Sequence, residues 1–171
     1  MEEIEVPTEH LHETIEDRVE EAVEKKEKKG MMAIAISTAL MAVFAALSSL
    51  VAGHHSDEAV LEQIHASDQW AYYQAKGIKM EIQSLSNNAD KDANTARYKS
   101  EQAEIKKEAE ADETASHMHL EHHAVLARAV TLFQISIAIS AIAILTKKRL
   151  LWIAGLCISC VGLFYFISGL F

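Results

Sequence analysis

The sequence predicts an all-α membrane protein with three transmembrane helices and a long extracytoplasmic, coiled-coil-like antiparallel helical hairpin between the first two. Residues 31–53, 124–146 and 150–171 are apolar runs long enough to cross a bilayer as α-helices. All 25 acidic side chains lie outside these three runs. The only proline is Pro7, so long uninterrupted helices can form after it.

Residues 1–30 are predicted to form an acidic amphipathic helix. Thr8 is a favourable N-cap residue, and acidic side chains in the first turns suit the positive end of a helix dipole. Apolar residues then recur at helical spacing and form one stripe, made of Leu11, Ile15, Val19, Ala22 and Val23. We expect either a solvated helix that leads into the membrane or a helix that docks on a partner.

Two clusters of basic residues predict the orientation in the membrane. One cluster is Lys25, Lys26, Lys28 and Lys29, and the other is the turn at 147–149, Lys147-Lys148-Arg149. Three crossings bring both clusters to the same side of the membrane, which the positive-inside rule makes cytoplasmic. The N-terminus is then cytoplasmic, whereas residues 54–123 and the C-terminus are extracytoplasmic.

Small side chains mark the faces on which the membrane helices should pack closely in lipid. In the first run they are Ala42, Ala45, Ala46, Ser49 and Gly53, and we expect a neighbour there from this chain or from a second copy. In the third run they are Gly155, Ser159 and Gly162. Gln134 in the second run is expected to hydrogen-bond to another helix or to line a pore.

Residues 54–123 are predicted to form two antiparallel helices with a turn near 86–94, each continuous with its apolar run. The first helix carries apolar and small residues at alternating spacings of three and four, the pattern of a coiled-coil seam. These are Leu61, Ile64, Asp68, Ala71, Ala75, Ile78, Ile82 and Leu85. The second seam is Tyr98, Gln102, Ile105, Ala109, Asp112, Ser116, His119, His123, Leu126, Val130 and Phe133.

We expect the two seams to face each other when the chain folds back at about residue 90. Positions whose numbers add to about 181 then pair, and Asp68 lies opposite Asp112. Facing carboxylates are unfavourable unless a cation, a proton or water bridges them, or unless both turn to solvent. The second seam is rich in polar residues, so the hairpin alone buries too little apolar surface to offset its ordering entropy. We therefore predict that copies of the chain associate.

Histidines gather at the membrane-proximal end of the predicted hairpin. His119 and His123 are four residues apart on one helical face, a spacing suited to metal binding. Folding brings His122, His54 and Asp57 towards them. The cluster could bind a transition metal, sense pH or consist of ordinary interfacial residues.

An aromatic patch lies about 25 Å along the first helix of the hairpin. Its residues are Asp68, Trp70, Tyr72 and Tyr73. Trp70 and Tyr73 flank the predicted seam, so they are expected to cover another helix or to bind a ligand or partner.

The stretch Asp68-Gln69-Trp70-Ala71-Tyr72-Tyr73-Gln74-Ala75-Lys76 resembles the signature of a family of small bacterial membrane proteins classed as a domain of unknown function. The layout around it is similar as well: an acidic segment, one membrane run, a polar helical insert and two further membrane runs. The resemblance implies a bacterial cytoplasmic (inner) membrane setting. It implies no activity, cofactor or site residues.

No nucleophile–base motif, phosphate-binding glycine loop or metal-hydrolase spacing is present, so we do not expect an enzyme or a cofactor. The acidic net charge of −9 argues against a nucleic-acid partner. The predicted partners are the lipid bilayer and a second copy of the chain; the sequence identifies no other protein partner. The favoured hypothesis is a homo-oligomeric scaffold or interaction module. The alternative is an ion-binding or ion-conducting assembly with its His/Asp/Glu cluster at the mouth of a pore.

Overall fold

The structure, a computed structural model, describes residues 8–86 and 91–171, and for residues 8–17, 22 and 23 it describes the backbone alone. Three α-helices make up these residues: α1 (Thr8–Leu85), α2 (Lys91–Thr146) and α3 (Arg149–Leu170). The described residues contain no β-strand. Each helix includes a stretch long and apolar enough to cross a membrane. The prediction of an all-α chain with three such helices is therefore confirmed.

Helix α1 contains three of the predicted segments in one continuous helix. It runs without a break through the acidic segment, the first apolar run and the first half of the polar insert, over roughly 117 Å. Helix α2 likewise joins the second half of the insert to the second apolar run. Continuity between the insert and the apolar runs is therefore confirmed. Of the predicted N-terminal stripe, Val19 is exposed; Leu11, Ile15, Ala22 and Val23 lie outside the described side chains.

Helices α1 and α2 lie antiparallel, and three hydrogen bonds fix their register. Ser116 Oγ donates to the Ala59 carbonyl (2.8 Å), and Gln102 Nε2 donates to the Tyr73 carbonyl (3.0 Å). His123 Nδ1 lies 2.8 Å from the Ala52 carbonyl. The residue numbers of each pair add to 175, not to the predicted 181, so the predicted register is wrong by about six residues of α2.

The predicted seam on α1 is also wrong. Its members from Leu61 to Leu85 are all exposed, whereas the residues buried against α2 include Ala52, Ala59 and Ala66. The physical reason is that alanines let the two helices approach closely enough for α2 side chains to hydrogen-bond to α1 carbonyls. The predicted seam on α2 is confirmed, because its buried members include Ile105, Ala109, Ser116, Leu126 and Phe133.

In the observed register, the two aspartates that were expected to face each other lie at different levels of the hairpin. Asp68 is exposed, and the pairing places it at the level of Lys107. Asp112 is half-buried on α2. The predicted carboxylate pair is therefore absent, and its side chains need no bridging cation.

The apolar core lies where all three helices meet. Met41, Ala129 and Phe133 are its buried centre. The Phe44 ring stacks on Phe133 with a centroid distance of 6.0 Å and meets Phe166 edge-on at 6.1 Å. Aromatic rings from all three helices therefore contact one another in this core.

Glycines bring α3 close to α2. Gly155 and Gly162 are buried, and a Cβ atom at Gly162 would lie 3.3 Å from Leu132 Cβ. Ser159 is half-buried beside them. The predicted small-residue face of the third run is therefore confirmed.

The small residues of the first run do not form a packing face within this chain. Ala42, Ala46, Ser49 and Gly53 are exposed, and a Cβ atom at Gly53 would meet nothing within 4 Å. Only Ala45 of the predicted set is half-buried, and it packs against the core. The face that α1 presents to its neighbours instead includes Ile34, Met41 and Ser48. Gln134 is exposed as well, and it makes no hydrogen bond to another helix among the described residues.

Candidate functional site

The histidines meet around His55, a residue that the sequence analysis did not select. His55 Nδ1 lies 3.0 Å from His119 Nδ1 across the α1–α2 interface. The His55 ring is stacked against the His122 ring with a centroid distance of 5.1 Å. A hydrogen bond between two Nδ1 atoms needs one proton, so one ring donates and the other accepts. The pair can therefore hold one shared proton, and double protonation would break the bond.

Two further histidines bind backbone carbonyls of neighbouring helices. His122 Nδ1 lies 3.2 Å from the Gly169 carbonyl in α3, and His123 Nδ1 lies 2.8 Å from the Ala52 carbonyl in α1. Since a carbonyl oxygen only accepts, each Nδ1 carries the proton. The histidines of α2 consequently tie this helix to both others at one level.

Burial and like charge both disfavour a proton on His55. Loss of solvent around the ring is the larger cause, and the neighbouring imidazoles His122, His119, His54 and His123 add to it. Together they hold the pKa of His55 below its ordinary value of 6.5. The neutral form is therefore favoured at this position.

The predicted metal ligands are only partly brought together. His119, His122 and His123 surround His55. The His54 ring also lies 5.9 Å from the His55 ring but is exposed, and Asp57 is exposed as well. The nearest acid to His54 is Glu58, with His54 Nδ1 and Glu58 Oε1 3.9 Å apart. Among the side chains that the structure describes, those of residues 18–21, 24–86 and 91–171, no three from His, Cys, Asp or Glu are arranged to hold one metal ion.

The aromatic patch clasps α1 to α2. Trp70 Nε1 donates to Glu113 Oε1 (2.9 Å), and the Trp70 ring meets Tyr73 edge-on with a centroid distance of 5.6 Å. Tyr72 is about half exposed, and Asp68 is exposed. Trp70 and Tyr73 are thus the half-buried members of the patch, and Asp68 and Tyr72 are its exposed members.

Lys76, the last residue of the stretch 68–76, makes a further contact between α1 and α2. Its ammonium group binds Glu101 of α2 and lies 4.9 Å from the centre of the Tyr72 ring. The hydrogen bond to Glu101 raises the pKa of Lys76, and the same bond lowers the pKa of Glu101. Gly77 leaves room for the Gln102 amide, because a Cβ atom there would lie 2.9 Å from Gln102 Nε2.

One signal in the sequence could have identified His55. It lies three residues after Ala52 and four before Ala59, so it belongs to the buried heptad positions of α1. That second heptad pattern consists of alanine and polar residues, and the apolar pattern on the opposite face obscures it.

These features define an all-helical protein with three helices long and apolar enough to cross a membrane, held together near one level by histidines. Residues 31–171 match the family described as Domain of unknown function (DUF4337), so the chain belongs to this family. No curated protein and no solved structure matches the chain.

Proposed function

We propose that the protein is a non-enzymatic, homo-oligomeric protein of the bacterial inner membrane. In this proposal α1 and α2 extend from the membrane as a helical-hairpin scaffold or interaction module. The observation that carries the proposal is an exposed, uninterrupted heptad stripe on α1, which has no neighbour within the described chain.

The stripe runs along the outer face of α1 from Ile36 to Leu85. Its fifteen positions alternate at spacings of four and three, and every one of them is exposed. They are Ile36, Leu40, Val43, Leu47, Leu50, His54, Asp57, Leu61, Ile64, Asp68, Ala71, Ala75, Ile78, Ile82 and Leu85. A strict heptad repeat favours helices that wind around a partner. Exposed apolar side chains outside the membrane, such as Ile78 at 60% and Ile82 at 62%, mark an interaction surface.

A second copy of this chain fits the stripe better than a different partner does. The stripe spans about 74 Å and continues from the apolar run of α1 into the polar insert. A partner that follows it throughout therefore needs a membrane helix and a coaxial extension at the same height. An identical copy in the same bilayer supplies both, in parallel orientation.

The positions that flank the stripe also suit a parallel self-pairing. On one flank the positions are Val60, Ser67, Gln74 and Glu81, and only Glu81 is charged, so this flank brings few like charges together. Asp57 and Asp68 lie within the stripe and would meet their own counterparts. Polar residues at such positions favour one register at a cost in stability.

Particle mass in a mild non-ionic detergent tests the proposal. The wild-type chain should give an oligomer by mass photometry, and the double variant Ile64→Asp/Ile78→Asp should give a monomer, because it places charge in the seam. Leu120→Asp is the matched control, since Leu120 is an exposed apolar residue on α2 outside the stripe. A wild-type chain that is strictly monomeric would sink the proposal.

The orientation proposed is a cytoplasmic N-terminus and an extracytoplasmic C-terminus. The contact between Lys147 Nζ and Glu27 Oε2 (3.1 Å) supports it, since the two basic clusters lie at the same end of the molecule. With both clusters at one end, the positive-inside rule gives a single consistent orientation.

An ion-binding or ion-conducting assembly is the second candidate. The convergence of His119, His122 and His123 around His55 favours it. Metal content after purification without a His tag, and ion flux into liposomes with and without His119→Ala and His123→Ala, distinguish it. Absence of both metal and flux would remove this candidate.

A further inference from the structure

A cavity of about 440 Å³ lies where the basic segment of α1 meets the turn between α2 and α3. Its charged wall consists of Lys26, Lys29, Lys147 and Arg149 with one carboxylate, that of Glu27. The wall therefore has a net charge of +3, in a chain whose net charge is −9. Such a concentration of positive charge favours an anionic ligand.

Ion pairing leaves three of these cations available. Lys147 binds Glu27 at 3.1 Å. Among the described residues, no carboxylate lies within 4 Å of the charged atoms of Lys26, Lys29 or Arg149. By contrast, the neighbouring Lys25 and Lys28 are each paired at 2.8 Å with an acid one turn earlier and do not line the cavity.

Arg149 lies beside Gly30 of α1. An arginine Nη2 atom lies 3.5 Å from the place that a Cβ atom of Gly30 would occupy, so the guanidinium rests against the α1 backbone. Arg149 is also the first residue of α3, so it lies at the positive end of that helix's dipole. Its planar guanidinium can bind two oxygens of one phosphate group.

The remaining wall of the cavity is apolar. It is formed by Met31, Ile34, Ala143 and Ile144, which belong to the apolar runs of α1 and α2. Trp152 closes the cavity and donates its Nε1 hydrogen to Ser37 Oγ at 3.0 Å. Tryptophan is typical of the membrane interface, where headgroups end and acyl chains begin.

We propose that this cavity binds the phosphate group of an anionic phospholipid, with the acyl chains against its apolar wall. The inference rests on the proposed membrane setting of the chain. Lys26, Lys29 and Arg149 bind the phosphate oxygens, and Trp152 marks the depth of the glycerol backbone. A choline headgroup is disfavoured because its cation would lie among the lysines.

Native mass spectrometry of the full chain in non-ionic detergent tests the site, with phosphatidylglycerol, phosphatidylcholine or inorganic phosphate added in separate samples. Retention of phosphatidylglycerol should exceed that of phosphatidylcholine by about fivefold or more. The variant Lys29→Gln/Arg149→Gln should reduce it to the phosphatidylcholine level. The variant Lys25→Gln/Lys28→Gln makes the same change in net charge outside the cavity and should retain phosphatidylglycerol like the wild type.

Three results would overturn the lipid site. They are equal retention of the two lipids by the wild type, an equal loss in both double variants, and displacement of phosphatidylglycerol by millimolar inorganic phosphate. The last result would identify a free phosphate as the ligand. The same spectra give the particle mass, so a monomer that retains phosphatidylglycerol contradicts the proposed assembly alone, and an oligomer without selective retention contradicts the site alone.

Discussion

Ala66 shows how single residues set the distance between α1 and α2. Its side chain has no exposed surface, and it lies midway between the hydrogen bonds that α2 makes to the Ala59 and Tyr73 carbonyls. A larger residue there would push the helices apart and weaken both bonds.

The change Ala66→Leu is therefore expected to destabilise the fold by about 1–3 kcal/mol, the usual cost of overpacking. Thermal or denaturant unfolding in detergent, followed by circular dichroism, measures it. Ala103→Leu is the control, because Ala103 is exposed on α2. Equal stability of Ala66→Leu and wild type would contradict the close α1–α2 contact.

His55 gives the fold a dependence on pH. Its pKa in the folded chain is below the ordinary value of 6.5, so the unfolded chain binds the proton more readily. Neutral His55 therefore makes its full contribution to the free energy of unfolding above about pH 6.5. This contribution is lost as the pH falls through 6.5 towards the pKa of His55 in the folded chain. We expect the melting temperature to fall between pH 7.5 and pH 5.5, and the variant His55→Gln to show a smaller fall. An identical pH profile for both proteins would contradict this role.

At the scale of the helix, α1 carries two heptad patterns on nearly opposite faces. One includes Ala52, Ala59 and Ala66 and packs on α2; the other is the exposed stripe. A sequence read for apolar periodicity selects the stripe, and it therefore assigns the wrong face to the contact within the chain. The seam of α2 was predictable because its buried members lie on a single pattern, which continues into the apolar run.

Apolar periodicity could not predict the register between α1 and α2. Residues 87–90 lie outside the described residues, and the length of chain used in a turn cannot be read from turn-forming residues alone. The three hydrogen bonds that set the register join side chains to carbonyls, and carbonyl positions depend on how closely the helices approach. The histidine site could not be predicted for the same reason, because His55 lies beside His119 only in the observed register.

Asp68 is the stripe position where substitution should strengthen self-association. In parallel copies it would meet its counterpart, and like charges across a seam are unfavourable. Asp68→Leu is expected to lower the concentration at which the oligomer dissociates by roughly tenfold or more, as measured by sedimentation in detergent. An unchanged dissociation constant would exclude Asp68 from the interface.

At the scale of the whole molecule, the apolar runs and the basic clusters predict the layout, and aromatic and glycine contacts join the three helices. The proposed orientation predicts which end a membrane-impermeant maleimide can reach in intact cells. In a chain with both native cysteines replaced, a cysteine at Ser100 should be labelled from outside and a cysteine at Lys26 only after lysis. The reverse pattern would contradict the orientation.

The central claim is that the exposed stripe of α1 meets the stripe of a parallel second copy. Disulfide formation between copies in native membranes tests it. Each variant carries a single cysteine at one position from 57 to 85, in a chain without native cysteines. We expect maxima of cross-linking at stripe positions such as Leu61, Ile64 and Ile78, and minima at Ala59 and Ala66. Uniformly low cross-linking, or maxima on the buried face, would contradict it.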